Sequence, residues 1–127
     1  MESIIDQIIA CVRPGQVMAN PGGGTSRIKR SDRETLSYIR GHSRMYLPMD
    51  VLVAAYCKWC NKQVTSAELR DWRPDVFDSS RGGHSCNCTF FFMVLQQAGL
   101  AGDIEGAGKA GSPFSVNVFD LAEVAAA

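Results

Sequence analysis

The sequence predicts a single α+β domain, and three observations carry that expectation. Isoleucines recur at helical spacing near the amino terminus, three short extended segments follow between residues 25 and 47, and helical patterns then occupy most of 49–99. At 127 residues and 46% hydrophobic composition, the chain suits one domain around one core.

Ile4, Ile5, Ile8, Ile9 and Val12 define a short amphipathic helix that Pro14-Gly15 stops. The turn-prone Asn20-Pro-Gly-Gly-Gly24 leads into Thr25–Arg30, Leu36–Arg40 and Ser43–Leu47. Ser-Asp-Arg-Glu and a turn containing Gly41 separate these segments, which therefore read as an antiparallel meander. Met49, Leu52, Val53, Tyr56 and Cys60 follow an i, i+3, i+4, i+7, i+11 pattern behind Pro48 and Asp50, both suited to a first helical turn. A helix over 49–62 is expected.

Thr65 and Glu68 have the spacing of a capping box, so a second helix should start there and weaken near Pro74. A polar loop at 78–83 precedes a third helix, which begins near Ser85–Thr89, contains the apolar run Phe90–Leu95 and stops at Gly99. Six consecutive apolar residues require burial on nearly all sides. Ile104, the glycine-rich 106–112 (GAGKAGS) and the alternating Phe114–Val118 predict a hairpin with a flexible tip. Residues 120–127 read as a fraying tail.

Helix, capped helix, apolar helix ending in Ala-Gly-Leu and glycine-tipped hairpin together resemble a winged helix-turn-helix over residues 48–119. The amino-terminal helix and meander, residues 1–47, would be an elaboration packed against it. The resemblance implies a third helix in the DNA major groove and a wing on the backbone. The loop at 78–87 is longer than the usual tight turn, and the third helix has no basic face.

Thirteen basic and thirteen acidic residues cancel, but they are unevenly spread. Residues 13–62 hold nine Lys/Arg against three Asp/Glu, a surplus of six, whereas 63–127 hold four against eight. A polyanion should therefore prefer the first half. Arg27, Lys29, Arg30, Arg33, Arg40, His42 and Arg44 crowd the meander, with Tyr38 and Tyr46 interleaved and only Asp32 and Glu34 opposing them. Basic strands with aromatic neighbours can follow a phosphate backbone. On the third helix, Ser85, Asn87 and Thr89 are the candidate base contacts, since Asn can pair with adenine.

Cys57, Cys60, His84, Cys86 and Cys88 supply enough donors for zinc. Yet Cys57-Lys-Trp-Cys60 falls inside a predicted helix without a shaping glycine, so packing is expected there and no metal or cofactor. A thiol near a helix amino terminus can be activated, and CTFFFMVLQQAGL resembles the nucleophile helix of papain-like cell-wall peptidases. That family carries its catalytic His downstream of the Cys, whereas His42 and His84 both lie upstream. Lys109 is followed by Ala110 rather than Ser or Thr, so GAGKAGS is not a phosphate-binding P-loop.

The expected function is a non-enzymatic binding module, foremost for DNA. The alternatives are a protein-interaction or inhibitor-type module, including a homodimer, and then a zinc- or cysteine-dependent enzyme. No apolar run approaches the roughly 18–20 residues that span a bilayer, and Glu2 and Asp6 replace a basic leader segment. A soluble cytoplasmic protein with reduced thiols and no membrane partner is expected.

Overall fold

The computed structural model describes residues 2–78 and 87–122. Among these residues it is a mixed α+β structure with a four-stranded antiparallel sheet, a two-stranded sheet and five helices. Buried side chains from Ile4 to Val118 join in one hydrophobic cluster, so the amino-terminal elements and the rest share a core.

Helix α1 (Glu2–Cys11) buries Ile4 and Ile8, with Val12 just beyond it, while Ile5 and Ile9 are half-buried. The chain then turns through Gly15, at φ +92°. Strand β1 (Val17–Ala19) is an element the sequence did not announce. Three residues are too few to display an alternation; β1 exists because the turn at 20–24 folds it back onto β2 (Thr25–Ser31). Asn20 secures that turn, exchanging backbone bonds with Gly23 and Gly24 while its side-chain oxygen accepts from Ser26 at 2.7 Å.

Strands β3 (Thr35–Arg40) and β4 (Ser43–Pro48) complete the sheet in the order β1-β2-β3-β4. The row Ile28, Tyr38, Met45 and the row Leu36, Leu47 are buried, as strand alternation requires. A bulge interrupts β2: Ile28 pairs with Tyr38 and Arg30 with Ser37, leaving Lys29 unpaired. Strict alternation would carry Arg30 into the core. The extra residue instead leaves both Lys29 and Arg30 exposed.

Helix α2 (Met49–Trp59) follows directly, with Pro48 at its N-cap and Asp50 in its first turn. Its buried stripe includes Val51, Ala55 and Trp59 as well as Met49, Leu52 and Tyr56, because the helix packs against both α1 and the sheet. The expected end at 62 is too late. Cys60 has left helical geometry at φ −55°, ψ 131°, and Asn61 is left-handed at φ +62°. Strand β5 (Gln63–Thr65) leads into α3 (Ser66–Trp72), whose start is the predicted capping box. The Thr65 hydroxyl accepts from the Glu68 N–H at 3.1 Å, and the Glu68 carboxylate accepts from the Thr65 N–H at 3.0 Å. Pro74 then opens the short α4 (Pro74–Phe77).

Helix α5 (Asn87–Gln97) is the centre of the molecule, touching α1, α3, α4 and β4. Every residue from Asn87 to Leu95 is buried. Gly99, at φ +75°, ends the helical path. Strand β6 (Ser115–Asn117) pairs antiparallel with β5, and Ser115 also bridges Glu105, so β6 lies between β5 and the segment near 101–105. The hairpin tip differs from the loose loop expected. The N–H groups of Ala107, Gly108 and Lys109 all donate to the Ser112 carbonyl, and Gly106 and Gly108 hold positive φ where an added Cβ would strike Pro113 and Phe114.

The tail is likewise tied down at its start, because the Leu121 N–H donates to the Tyr56 hydroxyl at 2.8 Å. Residues 123–127, and with them the rest of the expected fraying tail, lie outside the described residues. Among the described residues, no helix is long and apolar enough to cross a membrane.

Candidate nucleic-acid interface

The basic residues of the meander divide according to whether a carboxylate already neutralises them. Arg30 bonds Asp32 and reaches Glu34 at 3.6 Å; the hydrogen bond from Arg30 holds the Asp32 carboxyl below the usual carboxylate range. Arg33 bonds Asp6 of α1 at 2.7 Å. Both pairs are exposed ion pairs that tie turns in place, and their cations have less charge to offer a ligand. Arg44 lies 5.8 Å above the ring of Tyr46, which is itself half exposed on the outer face of the sheet. His42 is exposed in the turn between β3 and β4.

Arg27, Lys29 and Arg40 have no carboxylate partner among the described residues, and they line a common concavity of about 710 Å³ beside the glycine turn at 23–24. Alternation on β2 and the bulge at Lys29 expose the first two. Arg40, at the end of β3, is half-buried and donates to the Thr89 hydroxyl at 3.2 Å. It also lines a second concavity of about 430 Å³ together with Arg70 of α3 and Lys109 of the hairpin tip. Among the described residues, neither concavity is lined by a carboxylate.

Arg70 and Lys109 were missed by sequence reasoning, since both belong to the acidic half of the chain. Lys109 carried a faint signal as the lone cation of GAGKAGS. Arg70 carried none, because its place beside Arg40 depends on α3 docking near the end of β3.

The candidate base contacts are corrected by their burial. Asn87 is 6% exposed and its amide is committed internally: Oδ1 accepts from the Tyr38 hydroxyl at 2.6 Å, and Nδ2 donates to the carbonyls of Tyr46 and Val76. Thr89 is 7% exposed and accepts from Arg40. Polar residues at the start of α5 stay inside because β3 and β4 cover that end of the helix. Ser85, His84 and Cys86 lie outside the described residues.

Among the described residues no group of His, Cys, Asp and Glu is arranged to hold a metal. The packing role expected for Cys57 is also corrected: its side chain is exposed, while Cys60 is half-buried with its thiol 3.8 Å from the Tyr56 hydroxyl. Cys88 is buried, its thiol 3.5 Å from the carbonyls of Ser66 and Phe77. Comparison of the chain with protein-family models, curated proteins and solved structures gives no match.

Proposed function

We propose that this protein is a non-enzymatic DNA-binding module that grips the phosphate backbone. The observation that carries this reading is the position of Arg40 at the junction of two concavities that no carboxylate lines among the described residues. Through it, Arg27 and Lys29 on the sheet connect with Arg70 and Lys109 on the far side, giving a cationic track of five side chains. Unpaired Lys and Arg are what a polyanion exploits, because each neutralised phosphate releases condensed counterions.

The order α2, β5, α3, α4, α5, β6, with β6 between β5 and the segment near 101–105, supports a winged-helix reading of this part of the chain. The use made of it differs from a recognition helix in the major groove. Helix α5 is buried from Asn87 to Leu95, so contact is made by the sheet, by α3 and by the hairpin tip, and binding is largely independent of sequence.

Fluorescence anisotropy with a labelled duplex at rising salt tests the proposal. Charge neutralisation by these five cations gives a log–log slope of roughly −4 to −5 at most. Reversing Arg27 and Lys29 together should abolish binding at moderate salt. Binding that ignores salt, or no binding at low salt, would sink the reading.

A further inference from the structure

We infer that the 430 Å³ concavity between Arg40, Arg70 and Lys109 is a binding site for a phosphate monoester. The strand end as its source rests on the DNA reading above, whereas the chemistry of the cavity stands without it.

Three cations from three separate elements line this one cavity: Arg40 from the end of β3, Arg70 from α3 and Lys109 from the glycine-rich tip. None has a carboxylate partner among the described residues. Bringing three like charges to one cavity without a counterion costs electrostatic energy, and an anion seated among them relieves it. Guanidinium groups match phosphate geometry with paired N–H donors, and the ammonium adds a mobile point charge.

Ser66 and Thr89 add hydroxyls to the lining. The Thr89 oxygen already accepts from Arg40, which leaves its O–H hydrogen as a donor for an anion. Phe114 supplies an apolar wall. A cavity of this volume falls in the range of small-ligand sites.

The count of charges selects the monoester. An internal phosphodiester carries one negative charge, whereas a terminal phosphate carries about −1.5 to −2 near neutral pH, as phosphorylated side chains do. Arg27 and Lys29, on the exposed sheet, suit the singly charged backbone; three cations around one cavity suit a strand's terminal phosphate or a mononucleotide. Lys109 thereby gains a phosphate role that owes nothing to a P-loop. Its backbone N–H is turned to Ser112, so the side chain would make the contact.

Two measurements on the intact protein test the site. In amide NMR, inorganic phosphate should shift the resonances of Thr89, Gly108 and Lys109, and Arg70→Gln and Lys109→Gln should each remove the shifts. In anisotropy, a short strand bearing a 5′ or a 3′ phosphate should bind about tenfold more tightly than its hydroxyl-ended counterpart at one of its ends. Lys109→Gln, in an exposed turn, should erase that difference while Arg27→Glu with Lys29→Glu weakens both strands alike. Absent shifts, or shifts that survive in both variants, overturn the site even if DNA binds. Phosphate or a mononucleotide binding here while no strand binds sustains the site and overturns the DNA reading. Phosphate shifts with equal affinity for all strand ends leave the mononucleotide as the ligand, which a mononucleotide titration with the same resonance shifts establishes and one without them refutes.

Discussion

The phenolic O–H of Tyr38 donates to the side-chain oxygen of Asn87 at 2.6 Å, joining β3 to α5 across 49 residues of sequence. Two residues further along each element, Arg40 donates to Thr89. The Tyr38 ring also stacks on Phe90, with centroids 3.6 Å apart and planes 12° from parallel. These contacts fasten the sheet to the central helix and fix where Arg40 emerges.

Asn87→Ala should therefore be strongly destabilising. It removes the donor to the part-buried carbonyls of Tyr46 and Val76 and takes a buried acceptor from the Tyr38 hydroxyl, at a cost of about 2–4 kcal/mol. Tyr38→Phe removes a single hydroxyl and should cost about 1–2 kcal/mol. Urea unfolding of both single variants and the double variant measures this, and the double should cost less than the sum of the singles.

The capping box at Thr65 and Glu68 makes a local prediction. Thr65→Ala should lower stability by about 1 kcal/mol, while Thr65→Ser should be nearly neutral, because Ser retains the oxygen that accepts from the Glu68 N–H. Thermal unfolding of the pair distinguishes a lost cap from a general surface effect.

Arg40 and Arg33 should behave in opposite ways. Arg33→Gln breaks an exposed ion pair with Asp6 and should cost no more than about 1 kcal/mol, with DNA affinity nearly unchanged. Arg40→Gln removes the cation shared by the two concavities and should reduce the salt slope by roughly one. Equal losses of affinity in the two variants would count against the proposed track.

The hairpin tip depends on its glycines. Gly106→Ala must accommodate a Cβ against the Pro113 carbonyl at φ +96°, and Gly108→Ala one against the Phe114 ring at φ +72°. Each should cost more than about 1 kcal/mol and displace Lys109, whereas Gly22→Ala meets open space at ordinary φ. Thermal unfolding and the phosphate-induced amide shifts provide the two readouts.

Asp32 gives the stability a defined acid limb. Arg30 and the N–H groups of Glu34 and Thr35 favour its charged form, so its carboxyl titrates below the usual value in the folded protein. The unfolded chain takes up that proton first as pH falls. The contribution is complete above the ordinary carboxylate value near pH about 4 and is lost as pH drops through the lowered one. Melting temperatures of the wild type and Asp32→Asn should differ above that pH and converge as pH falls through the lowered value.

Local rules made much of the fold legible. The spacing of Ile4, Ile8 and Val12, the alternation in three consecutive strands, the Thr65 capping box and the apolar run Phe90–Leu95 each report a contact made within a few residues of chain, or burial that a residue's own chemistry demands. Strand β1 escaped notice because three residues carry no period. The end of α2 was misjudged because Cys60 looks like one more residue of the apolar stripe while its backbone has already turned away.

The candidate site was only half legible, for a physical reason. Charge density can be counted along a chain, so the basic meander was visible. Counter-charge cannot, since Arg33 meets Asp6 across 27 residues while Arg27 and Lys29 meet no carboxylate among the described residues. The sequence alone determined four of the five described helices, the meander and the surplus of cations in residues 13–62. Only the tertiary structure decided which cations stay available, buried Asn87 and Thr89 against the sheet, and brought Arg70 and Lys109 to Arg40, because side-chain pairing and burial depend on how distant elements pack.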